Sequence, residues 1–254
     1  MNRLDGKVVL VAGAGGIGRG LAERYAAEGA AVVLGDINVE AAAQVVEDIA
    51  AAGGNALAIR LDGSCESSVA DGVRSCVDHY GGLHGLHVNF AFMGDGNPEH
   101  GAVELPLEIY DETQRVNARG FFLCTRAALP IMIQDGGGSI VYTSSAAANA
   151  PSPAQMAYAM SKAAGQALMR HVAARYGAAG IRANTIAPAL TLHPAIEKLV
   201  PEEMVNWARA AAAIKSRVGT PADIAAMGTL LLSDEGSYIT GQVISIDGGT
   251  TMRP

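Results

Sequence analysis

Seven short apolar runs, rich in β-branched residues, alternate along the chain with six longer segments, most of them rich in alanine. The short runs are apolar on both faces of the pleat, which is typical of strands that are covered on both sides. Strands that alternate with helices predict right-handed crossovers and a parallel sheet wrapped by helices. The predicted strands are residues 7–11, 31–34, 56–61, 86–91, 139–143, 181–187 and 242–246, and the predicted helices are 18–28, 39–52, 66–80, 107–134, 154–178 and 222–232.

The composition narrows the class of protein. A chain of 254 residues, 50% hydrophobic and 17% charged, can bury a core without disulfides or metals and is not disordered. The net charge of −7, without a basic stripe, argues against nucleic-acid binding, and no apolar run approaches the ~20 residues of a membrane helix. Because no composition break, linker or repeat divides the chain, residues 1–254 are predicted to form one doubly wound α/β domain with a seven-stranded parallel sheet.

The cysteines and the first residues of the chain indicate the cellular compartment. Cys65, Cys76 and Cys124 are odd in number and widely spaced, which is typical of free buried thiols in a reducing environment. The first strand begins too early to leave room for a signal peptide. We therefore expect a cytoplasmic protein.

A glycine-rich loop follows the first predicted strand and opens the first predicted helix. Three of its glycines fit the spacing G-x-G-x-x-G, and its residues are Gly13, Gly15, Gly16, Ile17 and Gly18. Glycines let the backbone turn tightly and approach a pyrophosphate, whose charge the free amides at a helix start can meet. The position of this motif between strand and helix predicts a dinucleotide site.

Two aspartates end the next two predicted strands. Asp36 stands ~20 residues after the glycine loop, where a carboxylate can accept hydrogen bonds from both ribose hydroxyls of the adenosine. It would repel a 2′-phosphate, and no lysine or arginine lies at residues 35–38, so the sequence favours NAD over NADP. Asp62, followed by Gly63, is expected either beside the adenine or as a cap of the next helix.

A tyrosine and a lysine one helical turn apart form the candidate catalytic pair. Tyr158 and Lys162 lie at i and i+4 on one face of a predicted helix. A tyrosine with a reference pKa of ~10 can act as a base near neutrality only if its phenolate is stabilised, which a nearby ammonium provides. Ser145 ends the fifth strand thirteen residues earlier, so the intervening loop can bring both hydroxyls to one substrate oxygen.

With these motifs in this order, the chain resembles a short-chain dehydrogenase/reductase of the compact, single-domain, Rossmann-type kind over nearly all of its length. The remaining matches are Asn89 and Ala91 after the fourth strand, Val116 with Asn117, Asn184, and residues 217–225 and 238–249. The resemblance implies a nicotinamide cofactor and places Asn89, Ala91 and Pro188 among its contacts. It also implies a homotetramer, or a homodimer, packed through the long helices.

The resemblance implies a role for each catalytic residue. Tyr158 is the base in alcohol oxidation and the acid in ketone reduction. Lys162 lowers the pKa of that tyrosine and binds the nicotinamide ribose, while Ser145 orients the substrate oxygen. Asn117 holds a water that links Lys162 to solvent, or is a helix-bending residue satisfied by the backbone.

The sequence departs from the family pattern at three places. The glycine loop has one residue fewer before Gly16-Ile17-Gly18 than the family's loop. Phe92 replaces a glycine beside the nicotinamide ribose, and it either lines the substrate pocket or points into the core. His193 stands where the family has the threonine that binds the carboxamide; Thr191 is expected to take over that contact, and a solvated His193 on the lid is favoured over one in the substrate site.

The substrate side is predicted to be apolar and free of metal. A lid is expected at about residues 189–213, and the predicted substrate contacts are Ser145, Tyr158, Phe92, Met93, Met156 and Leu190. His84 and His87 are three residues apart on a strand, so they point to opposite faces and cannot share an ion. We expect no metal.

These features together predict an NAD-dependent dehydrogenase. The expected reaction interconverts a secondary alcohol and its ketone, on an apolar alicyclic, aromatic, terpenoid or steroid substrate. One alternative is a 3-oxoacyl thioester reductase, which Asp36 disfavours because biosynthetic reductases mostly use NADPH. The other is a non-catalytic nucleotide-binding regulator or scaffold, which has no chemical need for the complete catalytic set.

Overall fold

The computed structural model describes residues 2–95, 97, 100–150 and 155–252. Its centre is one parallel sheet of seven strands, in the order β3-β2-β1-β4-β5-β6-β7. The strands are β1 (Val8–Ala12), β2 (Ala31–Asp36), β3 (Asn55–Arg60), β4 (Gly85–Val88), β5 (Gly138–Thr143), β6 (Ile181–Pro188) and β7 (Val243–Ile246). The predicted doubly wound sheet is confirmed.

The helices cover both faces of this sheet. They are α1 (Gly16–Ala27), α2 (Val39–Ala51), α3 (Glu66–Tyr80), α4 (Leu107–Thr113), α5 (Gly120–Gln134), α6 (Met156–Tyr176), α7 (Pro194–Glu197), α8 (Glu202–Ala211) and α9 (Pro221–Leu232). The segment expected as one helix over residues 107–134 is interrupted by a π-helical turn, Gln114–Arg119. The predicted start, at residue 154, of the helix expected over residues 154–178 lies outside the described residues.

Two apolar cores lie on opposite sides of the sheet because successive residues of each strand point to opposite faces. In β1, Leu10 and Ala12 belong to one core and Val9 and Val11 to the other. All four are fully buried, and each buried valine or leucine side chain stabilises the fold by about 1.5–3 kcal/mol. The strand order changes direction between β1 and β4, so the carboxyl ends of these strands form the crevice where the candidate site lies.

The cysteine prediction was wrong at one position. Cys76 and Cys124 are buried, and burial raises the pKa of each thiol to about 12. Cys65, immediately before α3, is instead partly exposed. Among the described residues, no helix is both long enough and apolar enough to cross a membrane.

A directional chain of buried hydrogen bonds runs from α1 through the sheet. The Tyr25 hydroxyl lies 2.7 Å from His87 Nδ1, and His87 Nε2 lies 2.9 Å from the Thr143 hydroxyl. Because Thr143 donates onward to Asn89 Oδ1, it accepts from His87 Nε2–H. Burial lowers the pKa of His87 to about 3, so the ring is neutral and its Nδ1 accepts from Tyr25.

Tyr25→Phe is expected to destabilise the fold by about 1–3 kcal/mol, because it leaves a buried imidazole nitrogen without a partner. Urea unfolding of the variant and wild type measures this difference. Tyr238→Phe is the matched control, since Tyr238 is fully exposed. The double variant Tyr25→Phe/His87→Leu should lose less than the sum of the single variants; additive losses would show that the two side chains are not coupled.

Candidate active site

The backbone of the glycine loop lies close to the neighbouring strand β2 and to the segment that follows β4. Gly13 has a φ of +107° and donates from its amide to the Gly35 carbonyl at 2.7 Å. A Cβ at Gly13 would lie 2.6 Å from the Phe90 amide nitrogen, so glycine is required there. Gly18 is buried under the loop, against the Gly13 carbonyl.

The start of α1 presents unpaired amides. The helix begins at Gly16, two residues before the predicted start, and Gly15 has no side chain with which to cap it. The Arg19 amide makes a hydrogen bond to the Gly15 carbonyl, so the amides of Gly16, Ile17 and Gly18 have no partner within the helix. This is the donor set expected for an anionic pyrophosphate.

His193 packs onto this loop, which corrects the solvated position favoured from sequence. A Cβ added at Gly16 would fall 2.0 Å from Cγ and 2.1 Å from Nδ1 of the His193 ring. His193 Nδ1 is buried and has no hydrogen-bond partner among the residues that the structure describes. Partial burial of the ring lowers the pKa of His193 below its usual value.

Asp36 closes the loop from the end of β2. Its Oδ2 accepts from the Ala14 amide at 2.7 Å, and its Oδ1 accepts from the Asn38 amide at 2.9 Å. The carboxylate therefore supports the glycine loop. Arg19, on the first turn of α1, is paired with Glu23 and with Asp48.

Arg60 is a neighbour of this carboxylate that the sequence analysis missed. Residues Asp36 and Arg60 are register partners on the parallel strands β2 and β3, and Arg60 is exposed. Side chains of register partners stand on the same face of a sheet. Strand register was needed to find this pair, because the two residues are far apart along the chain.

Asp62 makes a local turn at the end of β3. Its Oδ1 accepts from both the amide and the hydroxyl of Ser64, at 2.9 and 2.6 Å. The Ser64 hydroxyl bond is the main reason that the pKa of Asp62 lies below its usual value. Asp62 thus accepts hydrogen bonds from a residue just before α3, as a capping side chain would. The residue that directly precedes α3, however, is Cys65. Gly63 lies against the Phe90 ring, whose tip would be 2.3 Å from a Cβ there.

Asn89 connects the glycine loop to the buried chain of hydrogen bonds. Its side-chain Nδ2 donates to the Gly13 carbonyl at 3.3 Å, and its side-chain Oδ1 accepts from the Thr143 hydroxyl at 3.0 Å. The strand before it ends at Val88 rather than at residue 91. Ala91, two residues beyond Asn89, is exposed at the crevice.

Ser145, Tyr158 and Lys162 meet as the sequence predicted. Ser145 follows β5, and its hydroxyl makes a hydrogen bond with the Tyr158 side chain. The Lys162 ammonium lies 5.6 Å from the centre of the Tyr158 ring and donates to the Thr143 carbonyl at 2.8 Å. One face of α6 and the end of β5 thus converge on one point.

Burial sets the acid–base properties of this group. Desolvation raises the pKa of Tyr158, and the Ser145 hydrogen bond opposes that rise. Lys162 is fully buried, and desolvation lowers its pKa to about 7. Desolvation thus leaves the tyrosine pKa raised, whereas the sequence analysis expected the lysine to lower it.

An aromatic pair beneath Lys162 was also missed from sequence. The Lys162 ammonium lies 4.7 Å from the centre of the Phe121 ring, which packs edge-on against Phe90. A cation over a ring face is stabilised electrostatically. The ring positions depend on α5 and on the loop after β4, so no local sequence signal could have revealed the contact.

Asn117 occupies the π-helical turn and clamps the loop after β4. Its Oδ1 accepts from the Phe92 amide at 2.7 Å, and its Nδ2 donates to the Phe92 carbonyl and the Ser161 hydroxyl at 2.9 and 3.0 Å. The side chain is thus satisfied mainly by backbone, as the structural alternative expected. π-Turns of this kind are frequent at functional sites.

The segment after β6 closes the crevice on its far side. Pro188 ends β6 and is buried. The Thr191 hydroxyl is also buried and donates to the Ala189 carbonyl at 3.1 Å, while its backbone pairs with Gly219. The hydroxyl expected to replace the family threonine is therefore turned inward.

The predicted substrate contacts divide between two clefts. Met93 and Met156 line a small cleft of about 20 Å³ beside Tyr158, together with Ile109 and Thr113. Leu190 lines a larger cleft of about 320 Å³, between the expected lid and residues 245–250. Phe92 is half-buried, held by its backbone to Asn117.

The expected lid forms two short helices, α7 and α8. Its Met204 and Trp207 side chains, which an apolar pocket would use, are 51% and 71% exposed. His84 and His87 have separate partners, since His84 Nδ1 accepts from the Val8 amide. In the described ranges, no group of three or more His, Cys, Asp or Glu side chains could hold a metal ion.

Known proteins share this arrangement over nearly the whole chain. A family model described as enoyl-(acyl carrier protein) reductase matches residues 11–251. The chain is 37% identical to the 2,5-dichloro-2,5-cyclohexadiene-1,4-diol dehydrogenase LinX of Sphingobium indicum, over 98% of this chain and 97% of that protein. It is 35% identical to the 7α-hydroxysteroid dehydrogenase of Escherichia coli K12, over 97% and 95% of the two chains.

Solved structures agree. A 7α-hydroxysteroid dehydrogenase complexed with NADH and 7-oxo glycochenodeoxycholic acid has a TM-score of 0.89 at 32% identity, covering 98% of this chain and 96% of that chain. A putative short-chain dehydrogenase/reductase from Burkholderia xenovorans has a TM-score of 0.91 at 31% identity, and both chains are covered completely.

The dehydrogenases among these relatives act on hydroxyl groups, and this chain is an oxidoreductase of that class. The chain belongs to the short-chain dehydrogenase/reductase family. The family resemblance and the enzyme class expected from sequence are confirmed.

Proposed function

We propose that this protein is an NAD-dependent dehydrogenase that interconverts a secondary alcohol and its ketone. The observation that carries the proposal is the convergence of Ser145, Tyr158 and Lys162 beside the glycine loop. Bound NAD would supply the hydride acceptor for alcohol oxidation. The named relatives act on a cyclic diol and on a hydroxysteroid, which supports an alicyclic, apolar substrate.

The chain's own residues manage the proton and the substrate oxygen. Ser145 orients that oxygen by a hydrogen bond, and Tyr158 removes the hydroxyl proton in oxidation or returns it in reduction. Lys162 stabilises the phenolate through its positive charge. Because the Asn117 side chain is engaged with Phe92 and Ser161 and its main-chain carbonyl accepts from the Gly120 amide, the water of the proposed relay would use the second lone pair of that carbonyl.

The residues of the crevice fit a dinucleotide. The amides of Gly16, Ile17 and Gly18, which have no partner within the helix, match the pyrophosphate. The Asp36 carboxylate matches the adenosine ribose and disfavours a 2′-phosphate. The NADH in a related structure supports the same choice.

The remaining cofactor contacts follow from position. Asp62 and Gly63 would border the adenine, and Asn89, Ala91 and Pro188 would contact the cofactor near Tyr158 and Lys162. Thr191 stays a proposed contact through its backbone. We further propose a homotetramer in the cytoplasm, with residues 189–213 as the substrate lid of a single domain spanning residues 1–254.

A 3-oxoacyl thioester reductase is the second candidate; the description of the matching family model, an enoyl-(acyl carrier protein) reductase, shares with it the acyl-thioester substrate but not the reduction of a carbonyl. The two are separated by an NADH-absorbance screen with NAD and NADP in parallel, against secondary alcohols of alicyclic, terpenoid, steroid, aryl and 3-hydroxyacyl classes. NAD-linked oxidation of alicyclic alcohols would support the proposal. NADP-linked turnover of 3-hydroxyacyl thioesters alone would overturn it, and NAD binding without any turnover would favour the regulator or scaffold.

The pH profile of alcohol oxidation tests the coupling of the three residues. Oxidation needs the Tyr158 phenolate, so kcat/KM should rise with pH through the pKa of Tyr158, which burial moves upward. Ser145→Ala removes a hydrogen bond that lowers this pKa, so the rise should move to higher pH. The pKa of about 7 applies to Lys162 beside a neutral Tyr158; a phenolate raises it, so Lys162→Ala removes a charge that favours ionisation of Tyr158 and should move the rise the same way.

The measurement is kcat/KM over a pH series for wild type and both variants. Tyr238→Phe, at a fully exposed position, serves as the control and should leave the profile unchanged. Profiles that keep the same midpoint in Ser145→Ala and Lys162→Ala would contradict the proposed coupling.

A further inference from the structure

The loop that carries His193 is fixed on both sides of that residue. Before it, the Leu192 amide donates to the Gly219 carbonyl at 2.9 Å, and the Gly219 amide donates to the Leu190 carbonyl at 3.2 Å. After it, the His193 carbonyl accepts from the Ile196 and Glu197 amides at 3.0 Å, which starts α7. The imidazole is therefore positioned by its backbone.

The ring meets the glycine loop at one residue. A Cβ at Gly16 would lie only 2.0 Å from Cγ of the His193 ring, so the ring can occupy this position only because residue 16 is a glycine. Two departures from the family pattern, the shortened loop and the missing threonine, thus meet at the start of α1. A ligand bound by the amides of Gly16 and Ile17 would have the imidazole beside it.

His193 brings an unused polar atom to this point. Its Nδ1 is buried with no partner among the described residues, and a buried nitrogen without a partner costs free energy. Arg19, the basic residue of the same helix turn, is engaged by Glu23 and Asp48. The imidazole therefore offers a hydrogen bond for an anion at these amides that the arginine does not supply.

We propose that His193 is a ligand of the dinucleotide's pyrophosphate, and that it does not replace the family threonine as a partner of the nicotinamide carboxamide. In this role Nδ1–H donates to a phosphate oxygen while Gly16 leaves room for the ring. The inference rests on the cofactor site of the proposed function.

Equilibrium binding separates the two roles of His193. The ligands are NAD and ADP-ribose, which has the pyrophosphate but not the nicotinamide, and the method is isothermal titration calorimetry. In His193→Leu, which keeps bulk but has no nitrogen, the Kd of both ligands should rise by about 10- to 100-fold, because a hydrogen bond to a charged group is lost. His193→Asn retains a donor near the position of Nδ1 and should recover most of the affinity for both.

Other outcomes would overturn the inference, and they can be told apart from a failure of the proposed function. A weaker Kd for NAD with an unchanged Kd for ADP-ribose would assign His193 to the carboxamide and overturn the inference. Unchanged affinity for both ligands in His193→Leu would overturn it as well, while leaving the proposed function intact. Failure of the wild-type protein to bind either ligand would overturn both. If His193→Leu does not fold, equal affinity losses for both ligands in His193→Phe support the inference, and a loss confined to NAD overturns it.

Discussion

Tyr158→Phe is expected to lower kcat by about 10²- to 10⁴-fold while leaving the Kd of NAD nearly unchanged. The substitution removes the one hydroxyl that exchanges a proton with the substrate oxygen, and positioned acid–base groups contribute rate factors of this size. The ring itself remains, so its packing on α6 and its distance from Lys162 are preserved. Steady-state kinetics and calorimetric NAD binding measure the two quantities.

The matched control is Tyr176→Phe, which removes a phenolic hydroxyl at the end of the same helix, away from Ser145 and Lys162. Its kcat should equal that of the wild type. If the Tyr158→Phe enzyme keeps more than about a tenth of the wild-type kcat, another group transfers the proton. A loss of less than about 10-fold is smaller than the contribution of a positioned acid–base group.

Replacing the Asp36 carboxylate is expected to change the cofactor preference. In Asp36→Ala/Ile37→Arg, the ratio of kcat/KM for NAD to that for NADP should fall by about 100-fold, because a ribose acceptor is lost and a phosphate partner is gained. Ile37 is exposed, so an arginine there costs no core packing. Arg60, the register partner of Asp36, adds a second cation once the carboxylate is gone.

Asp36 also holds the loop, and a second variant separates that role from charge. Alanine removes the acceptor of the Ala14 amide, whereas Asp36→Asn retains a side-chain oxygen for it and removes only the charge. Activity with NADP should therefore rise in Asp36→Asn, with a smaller loss of NAD affinity than in Asp36→Ala. An unchanged preference in all three variants would refute the proposed role of Asp36.

The sequence predicted that Ser145, Tyr158 and Lys162 lie together because the geometry of this group is largely local. Tyr158 and Lys162 share a helix face because they are four residues apart on one helix. Ser145 follows a strand that could be recognised by its apolar run. The interruption of the helix at Asn117 was not recognised. It depends on side-chain bonds from Asn117 to Phe92 and Ser161, which come from other elements.

Histidine positions show where inference from sequence ends. His84 and His87 have separate partners, but His84 precedes β4 instead of lying on it as the strand argument assumed, and the burial of His87 between Tyr25 and Thr143 required three elements to be assembled. His193 was placed in solvent because nothing within its own segment indicates contact with Gly16. Burial and unpaired nitrogens emerge only when distant segments pack.

By itself, the sequence determined the order of the strands along the chain, the parallel sheet, the glycine loop and the Tyr158–Lys162 pair, because each depends on periodicity or on spacings within one element. The tertiary structure alone decided the contact of His193 with Gly16 and the register of Asp36 with Arg60. It also set the raised pKa of Tyr158 and the lowered pKa of Lys162. These properties depend on desolvation and on contacts between residues far apart in the chain, which are fixed only when the helices close over the sheet.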